Sequence, residues 1–111
     1  MNAELKKNKQ RLSNAQVKQY RAVAHQLNPV VTIGGGGVSE GVMQELDRAL
    51  RDHELIKIKI AVGDRDARDA AIADLCSQCQ ATLIQRIGNT ATLLRRNPQA
   101  DPRKSNLMRS P

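Results

Sequence analysis

Hydrophobic residues recur at intervals of three and four in three segments of the chain, a pattern typical of amphipathic helices. The predicted helices cover residues 13–27, 40–52 and about 64–79. Ser13 and Ser39 stand at the starts of the first two, and a serine in that position caps the first helical turn. The stretches between these segments are shorter and must be strands or loops.

Four of the intervening stretches are predicted to be strands, at residues 30–33, 55–62, 82–87 and 90–95. The second alternates isoleucine with lysine, so one of its faces is expected to be buried and the other to be wet and positive. The pair Gly88–Asn89 separates the last two strands and predicts a tight hairpin turn.

The element order α-β-α-β-α-β-β predicts a single α/β domain with a four-stranded mixed sheet. Strands joined through helices are expected to run parallel, and the hairpin makes the last strand antiparallel. We expect the helices to pack over one face of the sheet, with an open side at the second strand. The domain is predicted to cover residues 13–95, between a basic N-terminal tail at 1–12 and a disordered basic C-terminal tail at 96–111, which holds three prolines.

Four consecutive glycines connect the first strand to the second helix. They allow positive φ angles and a close approach of the backbone to a ligand. The loop leads into a helix N-terminus, where N–H groups and the helix dipole favour an anion such as phosphate. The residues expected to contact that anion are Gly34, Gly35, Gly36, Gly37, Val38 and Ser39.

The C-terminal ends of the three parallel strands are expected to meet at one edge of the sheet, where open α/β sheets usually bind their ligands. Arg65, Arg86 and Asn89 would surround the glycine loop at that edge. The start of the first helix would add Lys9 and Arg11. We therefore expect this edge to be positive.

The chain has 111 residues and a net charge of +7, all of which comes from its two ends. Residues 1–12 contribute +3, residues 95–111 contribute +4, and residues 13–94 are balanced. Basic tails on a neutral domain favour a polyanionic partner, above all nucleic acid. Lys57 and Lys59 are further candidates for RNA contact, although a solvated strand face is the stronger explanation because they lie nearer the start of the strand, away from the loop edge.

Cys76 and Cys79 lie one helical turn apart and are expected to be core residues. The chain has no second cysteine pair to complete a zinc site, so we expect neither a metal nor a cofactor. Residues 1–10 are polar and no apolar run is long enough to span a membrane, which predicts a cytoplasmic protein. One tyrosine, with no phenylalanine or tryptophan, excludes an aromatic platform for stacking bases.

Several motifs together resemble a known RNA-binding module. They are the run from Leu27 to Val31, the loop from Ile33 to Val42, the strand from His53 to Ile60 and the pair Ile87–Gly88. In their order and spacing they are similar to a CRM domain (chloroplast RNA splicing and ribosome maturation), in its stand-alone bacterial YhbY form.

The resemblance implies a fold like the C-terminal domain of a bacterial initiation factor. It also implies RNA binding, association with large-subunit ribosomal RNA or pre-50S particles, a role in ribosome biogenesis, and backbone contact through the GxxG loop Gly34–Gly37. The sequence departs from the family pattern at Gly35 and Gly36, where polar or basic side chains are common. It departs again at Asn89, where lysine is common, and at Leu94, where an aromatic residue is common.

Two other functions fit parts of the sequence. A nucleotide-binding enzyme would use residues 35–41 as a loose glycine loop, but the chain has no P-loop Gly-Lys-Ser/Thr and no evident nucleophile–base pair. A protein-binding module would lack an aromatic hot spot. We therefore expect a monomeric RNA-binding protein without catalytic activity.

Overall fold

The computed structural model describes residues 12–61 and 63–107, so the predictions for Lys9 and Arg11 lie outside the described residues. All seven predicted elements are present, in the predicted order. They are α1 (Asn14–Ala24), β1 (Pro29–Ile33), α2 (Glu40–His53), β2 (Leu55–Ile60), α3 (Arg65–Cys79), β3 (Thr82–Ile87) and β4 (Thr90–Leu94).

Each helix is preceded by a residue whose side chain accepts a hydrogen bond from a backbone N–H group of the first turn. The Ser13 side chain accepts from Gln16 N at the start of α1, and the Gln16 side chain accepts from Ser13 N in return. Ser39 caps α2 and Asp64 caps α3. Because these caps satisfy N–H groups that have no partner within the helix, they fix where each helix begins.

The four strands form one mixed sheet in the order β1-β2-β4-β3. β1 and β2 are parallel, and β4 is antiparallel to both of its neighbours, β2 and β3. This confirms the predicted mixed α/β sheet with an antiparallel last strand. The hairpin places β4 between β2 and β3, so that the last strand of the chain lies inside the sheet.

The main core lies between one face of the sheet and the helices α2 and α3. The apolar side chains of β2 on this face are Ile56, Ile58 and Ile60, each at most 1% exposed. They pack with Leu46 of α2 and Leu75 of α3, among others. The alternation of isoleucine and lysine therefore predicted the buried face of β2 correctly.

The second face of the sheet is partly covered by α1. Tyr20 and Ala24 of α1 pack against Leu55, Ile84 and Leu94 in a smaller core cluster. The expectation that the helices cover one face only is wrong for α1. Because α2 and α3 cover the first face, the apolar side chains of α1 are buried against the second. The rest of the second face, along β1 and β2, is open.

Residues 96–107, the C-terminal segment, pack against the domain, so the prediction of disorder is wrong for them. Glu54 is only 4% exposed, and its carboxylate accepts hydrogen bonds from Asn97 N (2.7 Å) and Ser105 Oγ (2.8 Å). Asn106 N also donates to His53 O (3.0 Å). Composition suggested disorder because the segment has few apolar residues, but polar contacts to a buried carboxylate hold it.

Candidate nucleic-acid interface

The ends of β1, β2 and the β3–β4 hairpin meet at one edge of the sheet, as the parallel arrangement predicts. Ala61 N donates to Ile33 O (2.8 Å), and Ile60 N donates to Asn89 O (2.7 Å). The loop Gly34–Gly37 and the hairpin turn therefore flank the end of β2. We call this edge, with the N-terminus of α2, the glycine edge.

The four glycines form a tight turn whose tip is bare backbone. Gly37 N donates to Gly34 O (2.9 Å), and Gly37 has a φ of +75°, a conformation that favours glycine. Gly35 and Gly36 form the exposed tip, and a Cβ atom built on either meets no heavy atom within 4 Å. The space above the tip is therefore open to a ligand.

Backbone N–H groups are the donors that this edge offers. In the part of the chain that the structure describes, the N–H groups of Gly35 and Gly36 have no acceptor. Val38 packs on the main core, and the Ser39 side chain accepts from Val42 N (3.2 Å), so the C-terminal end of the loop is anchored. A loop that is anchored in this way, and whose tip N–H groups make no hydrogen bond within the described chain, can bind phosphate oxygens.

Arg86 has a structural role beside the glycine edge. Its Nε lies 2.7 Å from Asp69 Oδ1, and its Nη1 donates to Gly88 O (2.8 Å). The side chain is only 19% exposed. Arg86 thus ties the hairpin turn to α3, and a carboxylate neutralises its charge.

Cations and carboxylates are mixed among the described residues of the glycine edge, and the predicted contributions of Lys9 and Arg11 lie outside those residues. Arg65 is exposed and has no ion-pair partner among residues 12–61 and 63–107, but it is surrounded by acidic positions in sequence. The carboxylates in the N-terminal parts of α2 and α3 are Glu40, Asp64, Asp66 and Asp69. An anion at this edge must therefore be held mainly by backbone N–H groups.

The two candidate lysines lie on the open part of the second sheet face. Lys59 is exposed and is aligned with Thr32 of β1 and Thr90 of β4. Lys57 is half-buried on the same face, two residues earlier. Neither forms an ion pair with another described residue. We call this surface, with Thr32, Lys57 and Lys59, the open face.

The cysteines are core residues, as expected. Burial, together with the neighbouring Cys79, raises the pKa of the Cys76 thiol to about 11. Burial also raises the pKa of Cys79. The described part of the chain holds no group of three or more His, Cys, Asp or Glu side chains that could bind a metal, and none of its helices is long and apolar enough to cross a membrane.

Comparison with known proteins gives the family. The sequence model of the CRS1/YhbY (CRM) domain matches residues 12–95. The chain belongs to the CRS1/YhbY (CRM) family. The match includes the glycine edge and the open face of this CRM protein, whereas the C-terminal segment begins after it ends.

Relatives of this CRM protein are similar over most of their length. A Pseudomonas aeruginosa protein named "Probable RNA-binding protein" is 44% identical over 98 residues, which are 88% of this chain and 94% of the relative. A Haemophilus influenzae protein named "RNA-binding protein" is 41% identical over 96 residues, which are 84% of this chain and 97% of the relative.

A solved structure shows the same fold. It is the solution structure of a Staphylococcus aureus protein described as a candidate RNA-binding protein. The TM-score is 0.71 at 26% sequence identity, and the alignment covers 82% of this chain and 95% of the other. This CRM protein therefore shares its overall fold with the solved structure.

Proposed function

We propose that this CRM protein binds RNA, and that its target is large-subunit ribosomal RNA in ribosome precursors, whose assembly it assists. The family and the names of the relatives support RNA as the partner. The protein acts by binding alone, as a monomer in the cytoplasm. In this proposal the glycine edge holds the RNA backbone and the open face adds positive charge.

The observation that carries the proposal is the bare tip at Gly35 and Gly36. The N–H groups of these two exposed glycines have no acceptor among the described residues and lie next to the N-terminus of α2. A phosphate can therefore approach them without displacing a side chain. Backbone donors recognise phosphate oxygens and not base edges, so we expect weak dependence on RNA sequence. The arginines and the basic residues of the two chain ends, together with Lys57 and Lys59, would displace counterions from the RNA, which predicts an affinity that falls steeply with salt.

The test compares a structured fragment of large-subunit ribosomal RNA with a DNA duplex of equal length, by fluorescence anisotropy across a salt series. The variant carries Gly35→Asp and Gly36→Asp, which place two carboxylates at the tip. We expect its RNA affinity to fall at least about tenfold, because the added charges repel phosphate where the N–H groups would bind it. The wild type is expected to prefer RNA.

A matched control adds the same charge elsewhere. Gln44→Asp and Ala73→Asp change two exposed positions on α2 and α3, and this variant should lose much less affinity. Circular dichroism checks that both variants fold. Equal affinity of the tip variant and the wild type, with no preference for RNA over DNA, would contradict the proposal. Co-sedimentation with purified pre-50S particles and with mature subunits tests the ribosomal target separately.

A further inference from the structure

A groove with lysine and arginine side chains in its lining lies at the opposite end of the open face from the glycine edge. It runs between the first residues of β1 and β2 on one side and residues 102–106 of the C-terminal segment on the other. Lys57, Arg103 and Lys104 line it, and none of its described lining residues is a carboxylate. We call it the basic groove. The Asp101 carboxylate adjoins the wall formed by the C-terminal segment, next to Arg103, but does not line the groove.

The outer wall of the basic groove is held in place by hydrogen bonds on both sides of its cations. His53 Nδ1 donates to Lys104 O (2.7 Å), and Ser105 Oγ donates to the Glu54 carboxylate (2.8 Å). On the other side, Arg103 N donates to Asp101 Oδ1 (2.9 Å). On the segment, these contacts use backbone atoms and the side chains of Asp101 and Ser105, so they fix the segment without using the Lys104 ammonium group.

The cations of this wall are available to a ligand. The Arg103 side chain is 90% exposed. The shortest distances between its guanidinium nitrogens and the Asp101 carboxylate oxygens are 3.4 Å. Lys104 is exposed and forms no ion pair within the described ranges. An ion pair this long and exposed is weak, so a phosphate can replace the carboxylate partner of Arg103.

The basic groove and the glycine edge share one continuous surface. Lys57 borders the groove, and Lys59 follows on the same face of β2, next to Thr32. The three residue steps from Lys57 to Ile60, where β2 reaches the glycine edge, span about 10 Å at roughly 3.3 Å each. An extended backbone crossing the open face can therefore reach both places.

We propose that the C-terminal segment gives this CRM protein a second phosphate-binding site for RNA, in the basic groove. An RNA strand held at the glycine edge passes Lys59 and Lys57 and places a further phosphate between Lys57, Arg103 and Lys104. The inference rests on the proposed RNA-binding function. It places Arg103 and Lys104 in a fixed site, whereas the composition of the C-terminal segment suggests a mobile arm.

The test replaces the two exposed cations with Arg103→Gln and Lys104→Gln. We expect RNA affinity to fall about fivefold to tenfold and the salt slope to decrease by about one to two, because two phosphate contacts are lost. A matched control, Arg48→Gln and Arg51→Gln, removes two exposed charges from α2 on the other side of the sheet. The folding of each variant is checked by thermal unfolding.

The outcomes separate this inference from the proposed function. If the groove variant and the α2 control lose affinity equally, net charge alone explains the loss and the second site is overturned. If the tip variant at Gly35 and Gly36 weakens binding while the groove variant does not, the second site is again overturned but the proposed function stands. If the wild type shows no RNA binding, both fail. A loss specific to the groove variant supports the second site.

Discussion

The surroundings of each cation decide whether it can meet an RNA phosphate. The sequence favoured Arg86 over Lys59 as an RNA contact, yet Arg86 is paired with Asp69 at 2.7 Å and Lys59 stands exposed between two threonines. Residue type and strand position could be predicted from the sequence. The pairing could not, because Asp69 is 17 residues away on another element.

The glycines illustrate the opposite case, in which the local sequence predicted the geometry. Four glycines before a capping serine predicted an exposed turn that leads into a helix, and both the turn and the Ser39 cap are present. The information lies within a few residues, so long-range packing is not needed to specify it. The charge of the surrounding edge also depends on side chains from α2 and α3, which place carboxylates beside the predicted cations.

A prediction at this scale concerns the reactivity of Cys76. Because its pKa is raised to about 11, the thiolate fraction of the folded protein at pH 8 is expected to be about one in a thousand. Since the thiolate is the reactive form, Cys76 should be alkylated by iodoacetamide at least about ten times more slowly in the folded protein than in urea. The rate should increase as the pH approaches the raised pKa.

Mass spectrometry of tryptic peptides after timed labelling measures both cysteines in one experiment. Equal labelling rates for the folded and the unfolded chain at pH 8 would contradict the burial of this pair. A folded protein whose Cys76 labels fast while Cys79 does not would show that only Cys76 is accessible.

At the scale of elements, local sequence patterns predicted every helix and strand. Apolar periodicity predicted the three helices and β2, and short runs bounded by turn residues predicted the other strands. These patterns did not predict that β4 lies inside the sheet or that α1 covers the second face. Those arrangements depend on which apolar stripes meet, such as Tyr20 of α1 with Leu55 and Leu94. The fixed C-terminal segment was missed for the same reason, since its main partner is Glu54, more than 40 residues earlier.

The hydrogen bonds of Glu54 predict how the C-terminal segment is attached. Glu54→Ala removes the carboxylate that accepts hydrogen bonds from Asn97 N and Ser105 Oγ. Both donors are then left without this partner at buried or partly buried positions. We expect the free energy of unfolding to fall by about 2 kcal/mol, because buried donors without partners are costly. Trypsin should also cleave after Lys104 faster than in the wild type.

Urea unfolding and limited proteolysis measure the two effects. Glu45→Ala, an exposed glutamate of α2, is the matched control and should change the unfolding free energy by less than about 0.5 kcal/mol. If the two alanine variants were equally stable and equally resistant to trypsin, the buried carboxylate would not be the anchor of the segment.

At the scale of the whole molecule, donors and cations occupy different parts of one surface. The glycine edge supplies backbone N–H groups, the open face supplies two lysines, and the basic groove supplies Arg103 and Lys104. The opposite side of the sheet is covered by α2 and α3, whose exposed charges include carboxylates that pair with arginines, as Asp47 does with Arg95 at 2.9 Å. We therefore propose that RNA binds to one side of the domain.

The most direct measurement of this claim is an NMR titration of the ¹⁵N-labelled protein with the ribosomal RNA fragment. We predict that the amide signals of Gly35, Gly36 and Lys59 shift or broaden first, together with those of Arg103 and Lys104. The amides on the outer surfaces of α2 and α3, such as Arg48, should change little. Perturbations concentrated on those helices, with the glycine tip unchanged, would contradict the account.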